Sequence, residues 1–173
     1  MINKPLLSLV NVLALFAINA VQAQTINTNI TNDWLDSRYT VPSPSDGTVT
    51  DTVTGLMWQQ CSVGQSGNDC SGGSASNHTW QEALQLVGAD LTAGYDDWRL
   101  PNKNELSSIV AYDRYSPSIN TVAFPNTEST IYWSSSPNAS DSGDAWLVYF
   151  GNGGVNGDSR YGNGRVRLVR SGQ

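Results

Sequence analysis

The apolar positions of this chain fall into short periodic runs separated by stretches of Ser, Asn and Gly. Trp80, Ala83, Leu84 and Val87 stand at i, i+3, i+4 and i+7, the inward stripe of an amphipathic helix. Thr79-Trp80-Gln81-Glu82 opens that stripe as a capping box: the Thr79 hydroxyl accepts from the Glu82 amide while the Glu82 carboxylate reaches back. The helix is predicted to end near Gly88. Asn102-Lys103-Asn104-Glu105 is a second capping box, and Leu106, Ile109 and Val110 form the stripe behind it. Thr48–Thr50 and Leu56–Gln59 read as strands joined by a turn that ends at Gly55. Ile131–Ser135, Asp144–Phe150 and Arg165–Arg170 read as three more. In the middle one Trp146, Val148 and Phe150 alternate with Ala145, Leu147 and Tyr149, so both faces are apolar and the strand belongs at the centre of its sheet. Strand, helix, helix and a C-terminal antiparallel meander predict an α+β fold.

The ends of the pattern bear on where the chain resides. Lys4 precedes an apolar run, Leu6–Ile18, broken only by Ser8 and Asn11. Val21-Gln22-Ala23 then places small residues at a cleavage point before Gln24. That is the layout of a secretory signal peptide over residues 1–23. The run is short of the roughly 20 residues a membrane span needs, and no later stretch supplies one. Residues 24–47 read as a polar N-terminal segment, with Val41–Gly47 an extended linker or turn, and residues 48–173 as the domain. Cys61 and Cys70 flank a Gly/Ser/Asn-rich stretch, which in an exported protein predicts a disulfide. Closing so short a loop is worth about 2–3 kcal/mol. The spacing is not CxxC and there is no second pair, which argues against a metal site there.

Composition narrows the function classes. The 173 residues include 15 Asp and Glu against 9 Lys and Arg, a net charge of −6. Such a chain lacks the positive face that non-specific nucleic-acid binding requires. A single His, His78, excludes any metal site that needs two imidazoles. Six Trp, seven Tyr and three Phe supply a core and argue against disorder.

Five motifs occur in a telling order: Gly55-Leu-Met-Trp-Gln59, Gly94-Tyr-Asp-Asp-Trp-Arg-Leu-Pro-Asn-Lys-Asn-Glu-Leu106, Tyr132-Trp-Ser-Ser-Ser136, Ala145-Trp146 with Phe150, and Val166-Arg-Leu-Val-Arg170. Together they resemble the Lcl C-terminal domain family, named for the C-terminal module of a Legionella collagen-like adhesin. The resemblance runs from about Val49 to Arg170. It implies an exported bacterial protein and a C-type-lectin-like fold, a mixed domain with two short helices and a twisted antiparallel sheet. The naming adhesin binds sulfated glycosaminoglycans. This chain departs from it in having no collagen-like repeat and in being acidic.

Against that background Trp58, Trp98, Arg99, Glu105, Trp133 and Trp146 read as framework. Trp98 and Leu100 are expected in the core, with Arg99 paired to a carboxylate or to helix-terminal carbonyls at the strand-to-helix junction; Arg99 and Asp97 as ligand contacts is the other reading. Trp133-Ser134-Ser135-Ser136 lacks a Gly-x-Ser-x-Gly elbow, and its only possible imidazole base is His78, so a nucleophilic serine is not expected. Asp96, Asp97, Asp141 and Asp144 carry oxygen ligands that Ca²⁺ accepts. The calcium-dependent sugar motifs of C-type lectins, Glu-Pro-Asn or Gln-Pro-Asp with Trp-Asn-Asp, do not occur, and no cofactor is assigned.

Binding is expected near the C-terminus. Gly151–Gly164 reads as a long exposed loop that offers Asn156, Asp158, Tyr161 and Asn163, a composition like that of antibody recognition loops. Arg160, Arg165, Arg167 and Arg170 follow closely; if Arg165–Arg170 is a strand, Arg165 and Arg167 share its outward face while Val166 and Leu168 point inward. Ion pairing with the excess acid is the plainer alternative for these arginines. The function expected is a non-enzymatic, secreted or periplasmic module that binds a glycan or cell-surface ligand. A cell-envelope protein–protein module, including a homo-oligomer, is the alternative, and an envelope enzyme the second.

Overall fold

The computed structural model describes residues 24–88 and 90–172. The expected signal peptide lies outside the described residues. In chain order the elements are β1 (Thr25–Ile26), β2 (Tyr39–Thr40), β3 (Thr48–Asp51), β4 (Leu56–Gln59), β5 (Gln65–Ser66), β6 (Gly72–Gly73), α1 (Trp80–Gln85), α2 (Lys103–Ser108), β7 (Arg114–Tyr115), β8 (Ile131–Pro137), β9 (Asp144–Tyr149), β10 (Gly154–Ser159) and β11 (Val169–Ser171). Antiparallel sheets with two short helices make this an α+β domain. No helix among the described residues is long and apolar enough to cross a membrane.

Both capping boxes form. The Thr79 hydroxyl accepts from the Glu82 amide while Glu82 accepts from the Thr79 amide at 2.8 Å. Asn102 accepts from the Asn104 and Glu105 amides at 2.9 Å, and Glu105 accepts from the Asn102 amide. These bonds satisfy N-terminal donors that a helix of one or two turns otherwise leaves bare. α1 is shorter than its apolar stripe suggested. It stops at Gln85, the chain turns through Gly88 at φ +74°, and Val87 is left half exposed.

The two main sheets run β10-β9-β8 and β11-β4-β3-β2. β9 is the central strand of the first, and its doubly apolar pattern has a clear cause. Val148 and Phe150 face one core cluster with Tyr132 and with Leu106, Ile109 and Val110 of the α2 region. Ala145 and Leu147 face the other, with Trp133, Trp98 and Ala83 of α1. The helices therefore cover opposite faces of one sheet. Val49, Trp58 and Val169 of the second sheet complete the first cluster, and Val166 and Leu168 the second.

Residues 24–47 are folded onto the domain. β2 pairs with β3, Tyr39 is buried edge-to-face against Phe124, and Gln24 donates to the Pro117 and Ile119 carbonyls. Arg38 grips the buried Asp51 through two hydrogen bonds, 2.6 and 2.8 Å long. Burial pushes the Asp51 carboxyl up, but bonds from Arg38, Thr54 and the Val53 amide together hold it below the usual carboxylate range.

Two expectations for the C-terminal part are corrected. Gly151–Gly164 is not one long loop: a turn at Gly151–Gly153 leads into β10, whose residues pair with β9 from Gly154↔Tyr149 to Ser159↔Asp144. Arg165–Arg170 is not one strand. Arg165 makes an isolated parallel bridge to Tyr132, and only Val169–Ser171 pairs regularly, with β4. The stretch between them crosses from the first sheet to the second, so both of its sides meet packed protein.

Candidate functional site

That crossing decides the fate of the arginines. Arg167 is fully buried, which removes it from the expected ligand surface. Its guanidinium donates to the Gln59 and Gln60 carbonyls and to the Thr127 hydroxyl, and it lies 4.9 Å from the centre of the Phe124 ring. Burial with no carboxylate partner pulls its pKa down. Arg165 is bound to Glu128 at 2.6 Å and to Asn77. Arg170 is bound to Asp97 at 2.6 Å and lies over the Tyr95 ring. The Asp97 carboxyl falls below its ordinary value because it accepts from Arg170. For Arg165 and Arg170 the ion-pair reading holds.

Arg160 behaves differently. It leaves β10 and lays its guanidinium over the Trp80 ring of α1, 4.3 Å from the centre. Its Nε donates to the Asp144 carbonyl at 2.9 Å. Its two terminal nitrogens have no hydrogen-bond partner among the described residues, and no other arginine there is left so open. Trp80 is itself fixed, because its indole nitrogen donates to the Ser134 carbonyl at 2.8 Å. Asn156 and Asp158 stand exposed on the edge strand, in register with Leu147 and Ala145 and so on the α1 face of the sheet. Tyr161, 89% exposed, and Asn163 follow in the next turn. Asn156 and Asp158 thus lie on the edge strand, with Arg160, Tyr161 and Asn163 in the stretch that follows it, while Arg165 is ion-paired and Arg167 enclosed. Trp80 was missed as a site residue. Its helical spacing marks it as core, and nothing local announces a cation arriving from residue 160.

Trp58, Trp98 and Trp133 are fully buried. Arg99 and Glu105 form a two-bond pair at 2.7 and 2.8 Å, tying the segment before α2 to its first turn. That contact lowers the Glu105 pKa. Trp146 is half-buried, with the Lys103 ammonium 4.3 Å from its ring centre.

The serines serve the sheet. Ser134 donates to the Trp146 carbonyl across β8 and β9, and Ser136 accepts the Lys103 amide at the start of α2. His78 instead meets the Ser76 hydroxyl at 2.7 Å, and among the described residues no carboxylate bonds its other nitrogen. A nucleophile, a base and an orienting acid do not assemble there.

Cys61 and Cys70 are joined as a disulfide, and polar hollows flank the loop they close. One, of about 360 Å³, is lined by Asp46, Gln59, Ser62, Gln65 and Asp90 among others. The second, of about 560 Å³, lies by Asp69, Asn126 and Glu128. No group of three or more His, Cys, Asp or Glu side chains converges among the described residues.

A buried framework of two core clusters, with a disulfide closing one surface loop, makes this a small α+β module. The disulfide points to an oxidising compartment outside the cytoplasm. The chain belongs to the Lcl C-terminal domain family, whose sequence model matches residues 47–170. The family takes its name from the C-terminal module of an adhesin-like protein, which suggests a binding module. No curated protein matches the chain.

Proposed function

We propose that this chain is an exported, non-catalytic glycan-binding module whose contact surface is the outer end of the β9–β10 hairpin and the turn after it. The observation that carries the reading is the Arg160–Trp80 stack. The stack fixes a guanidinium plane at the surface and leaves its terminal donors open. The same edge strand and the turn after it carry the exposed side chains of Asn156, Asp158, Tyr161 and Asn163. Sugars offer dense hydroxyls and apolar C–H faces. Amides, a carboxylate, a guanidinium and an exposed aromatic match both.

A glycan array probed with the protein from Gln24 onward tests the reading. Binding to at least one glycan is expected, and the Arg160→Ala/Tyr161→Ala double variant should lose about tenfold or more of it. Full retention by that variant would remove the placement; silence across the array would remove the glycan.

A second reading has its own observation. Ile26, Ile30, Leu35, Tyr112, Tyr115 and Val122, each 43–68% exposed, come from β1, β7 and the segments around them. Exposed apolar side chains in such number suit a protein partner or a second copy. Sedimentation across a concentration series distinguishes an oligomer from a monomeric lectin.

A further inference from the structure

On the other face of the same sheet, the residue opposite Trp146 is Gly157. The α2 face at this point carries the half-buried Trp146, with Lys103 over its ring, and the directly opposed position on the edge strand supplies no side chain beside the indole. Two polar groups already occupy this gap. A Cβ at Gly157 would sit 2.9 Å from the Asn138 side-chain nitrogen and 3.5 Å from Asp144 Oδ2. The orientation of the Asn138 amide is fixed, because its Oδ1 accepts from the Ser140 amide at 3.0 Å. Its Nδ2 therefore faces the gap as a donor. Neither that nitrogen nor the Asp144 carboxylate has a hydrogen-bond partner among the described residues.

We propose that the surface over Gly157 is a subsite for a neutral hexopyranose, held through two adjacent hydroxyls by Asn138 and Asp144 beside the Trp146 ring. An uncharged vicinal diol is the matching chemistry. One hydroxyl donates to the Asp144 carboxylate while its neighbour accepts from Asn138 Nδ2, so a fixed donor and a fixed acceptor are both satisfied. The half-buried indole supplies apolar surface for the sugar's C–H groups, and the Lys103 ammonium over its ring adds a donor. A carboxylate in the gap repels an anion, which sets this subsite apart from the Arg160 surface. The backbone has no need of glycine here: Gly157 is not at positive φ, so its missing side chain matters for the room it gives the Asn138 amide.

The proposal rests on the glycan reading but not on the Arg160 surface. Methyl α-glucopyranoside, methyl α-mannopyranoside and methyl α-galactopyranoside are titrated into the ¹⁵N-labelled protein from Gln24 onward, and amide shifts are followed. At least one should bind, with shifts centred on Gly157, Asn138 and Asp144. Gly157→Ala should weaken it about tenfold or more by displacing the Asn138 amide, and Asn138→Asp likewise by turning the donor into an acceptor. Thermal unfolding of each variant shows that the fold is intact. The subsite is overturned if no methyl glycoside binds while the array is positive, a result that leaves the glycan reading standing. It is equally overturned if Gly157→Ala and Asn138→Asp both bind as the parent does. A silent array together with silent titrations overturns both.

Discussion

Between Asp144 and Arg160 the charged side chains stand around a surface hairpin, whereas between Val166 and Arg170 they are drawn inward. Arg160 keeps its terminal donors open and touches the protein through Trp80 and one carbonyl. Arg167, a few residues on, is wholly enclosed by carbonyls, hydroxyls and a phenyl ring. The same residue type thus serves recognition in one stretch and architecture in the next. What separates them is the number of layers the chain runs between. β10 is an edge strand with solvent beside it, while the segment before β11 passes between two packed clusters.

The largest effect should come from the enclosed arginine. Arg167→Ala leaves the Gln59 and Gln60 carbonyls and the Thr127 hydroxyl without their donor and opens a void beside Phe124. The expected cost is about 3–5 kcal/mol, read as a lower urea midpoint. Arg167→Lys should recover little of it, since an ammonium cannot reach acceptors arranged for a planar fork. An unchanged midpoint for Arg167→Ala would erase the contrast drawn above.

How much of this was legible in the sequence follows from what each signal measures. The capping boxes at Thr79 and Asn102 are local, and both form. β9 reads correctly as central because doubly apolar alternation has few other causes. The Arg99–Glu105 pair joins residues close in sequence at a recognisable junction. Arg167 could not be placed the same way. Period-two alternation says that Arg165 and Arg167 share a side, not whether that side is covered, and here Arg167 turns to Phe124 while Val166 and Leu168 join the other cluster. β10 was hidden for a different reason: Gly and Asn have low strand propensity, and the strand forms through its partner β9. Trp80 meeting Arg160, and Asn138 meeting Gly157, are products of topology.

A middle effect separates the framework's ion pairs from the hairpin's open charges. Glu105 is held below its ordinary pKa by Arg99, and Asp51 ends lowered through Arg38 and its neighbours. A carboxyl depressed in the folded state lends stability above its unfolded pKa, about 4, and that stability is lost as pH falls through the folded value. Glu105→Gln should therefore lower the unfolding free energy from urea titration at pH 7 by about 1 kcal/mol, the pair being partly exposed, and flatten the decline below about pH 4. A variant whose acid profile parallels the parent's would show that the Arg99 contact contributes nothing to folding.

The smallest change in stability is expected where the proposed change in binding is largest. Arg160→Ala removes a cation from the half-buried Trp80 ring and one bond to the Asp144 carbonyl, and water can replace that bond. Stacks of this kind contribute about 0.5–1 kcal/mol at exposed sites, so the unfolding free energy from urea titration should fall by no more than that. Edge strand and solvent lie on its free side, and no buried acceptor is left bare. A loss approaching that of Arg167→Ala would mean that the guanidinium braces α1 against the sheet, and the hairpin would then belong to the framework. A small loss combined with failed glycan binding assigns Arg160 to recognition, because structural bracing and ligand contact predict opposite orderings of the two measurements.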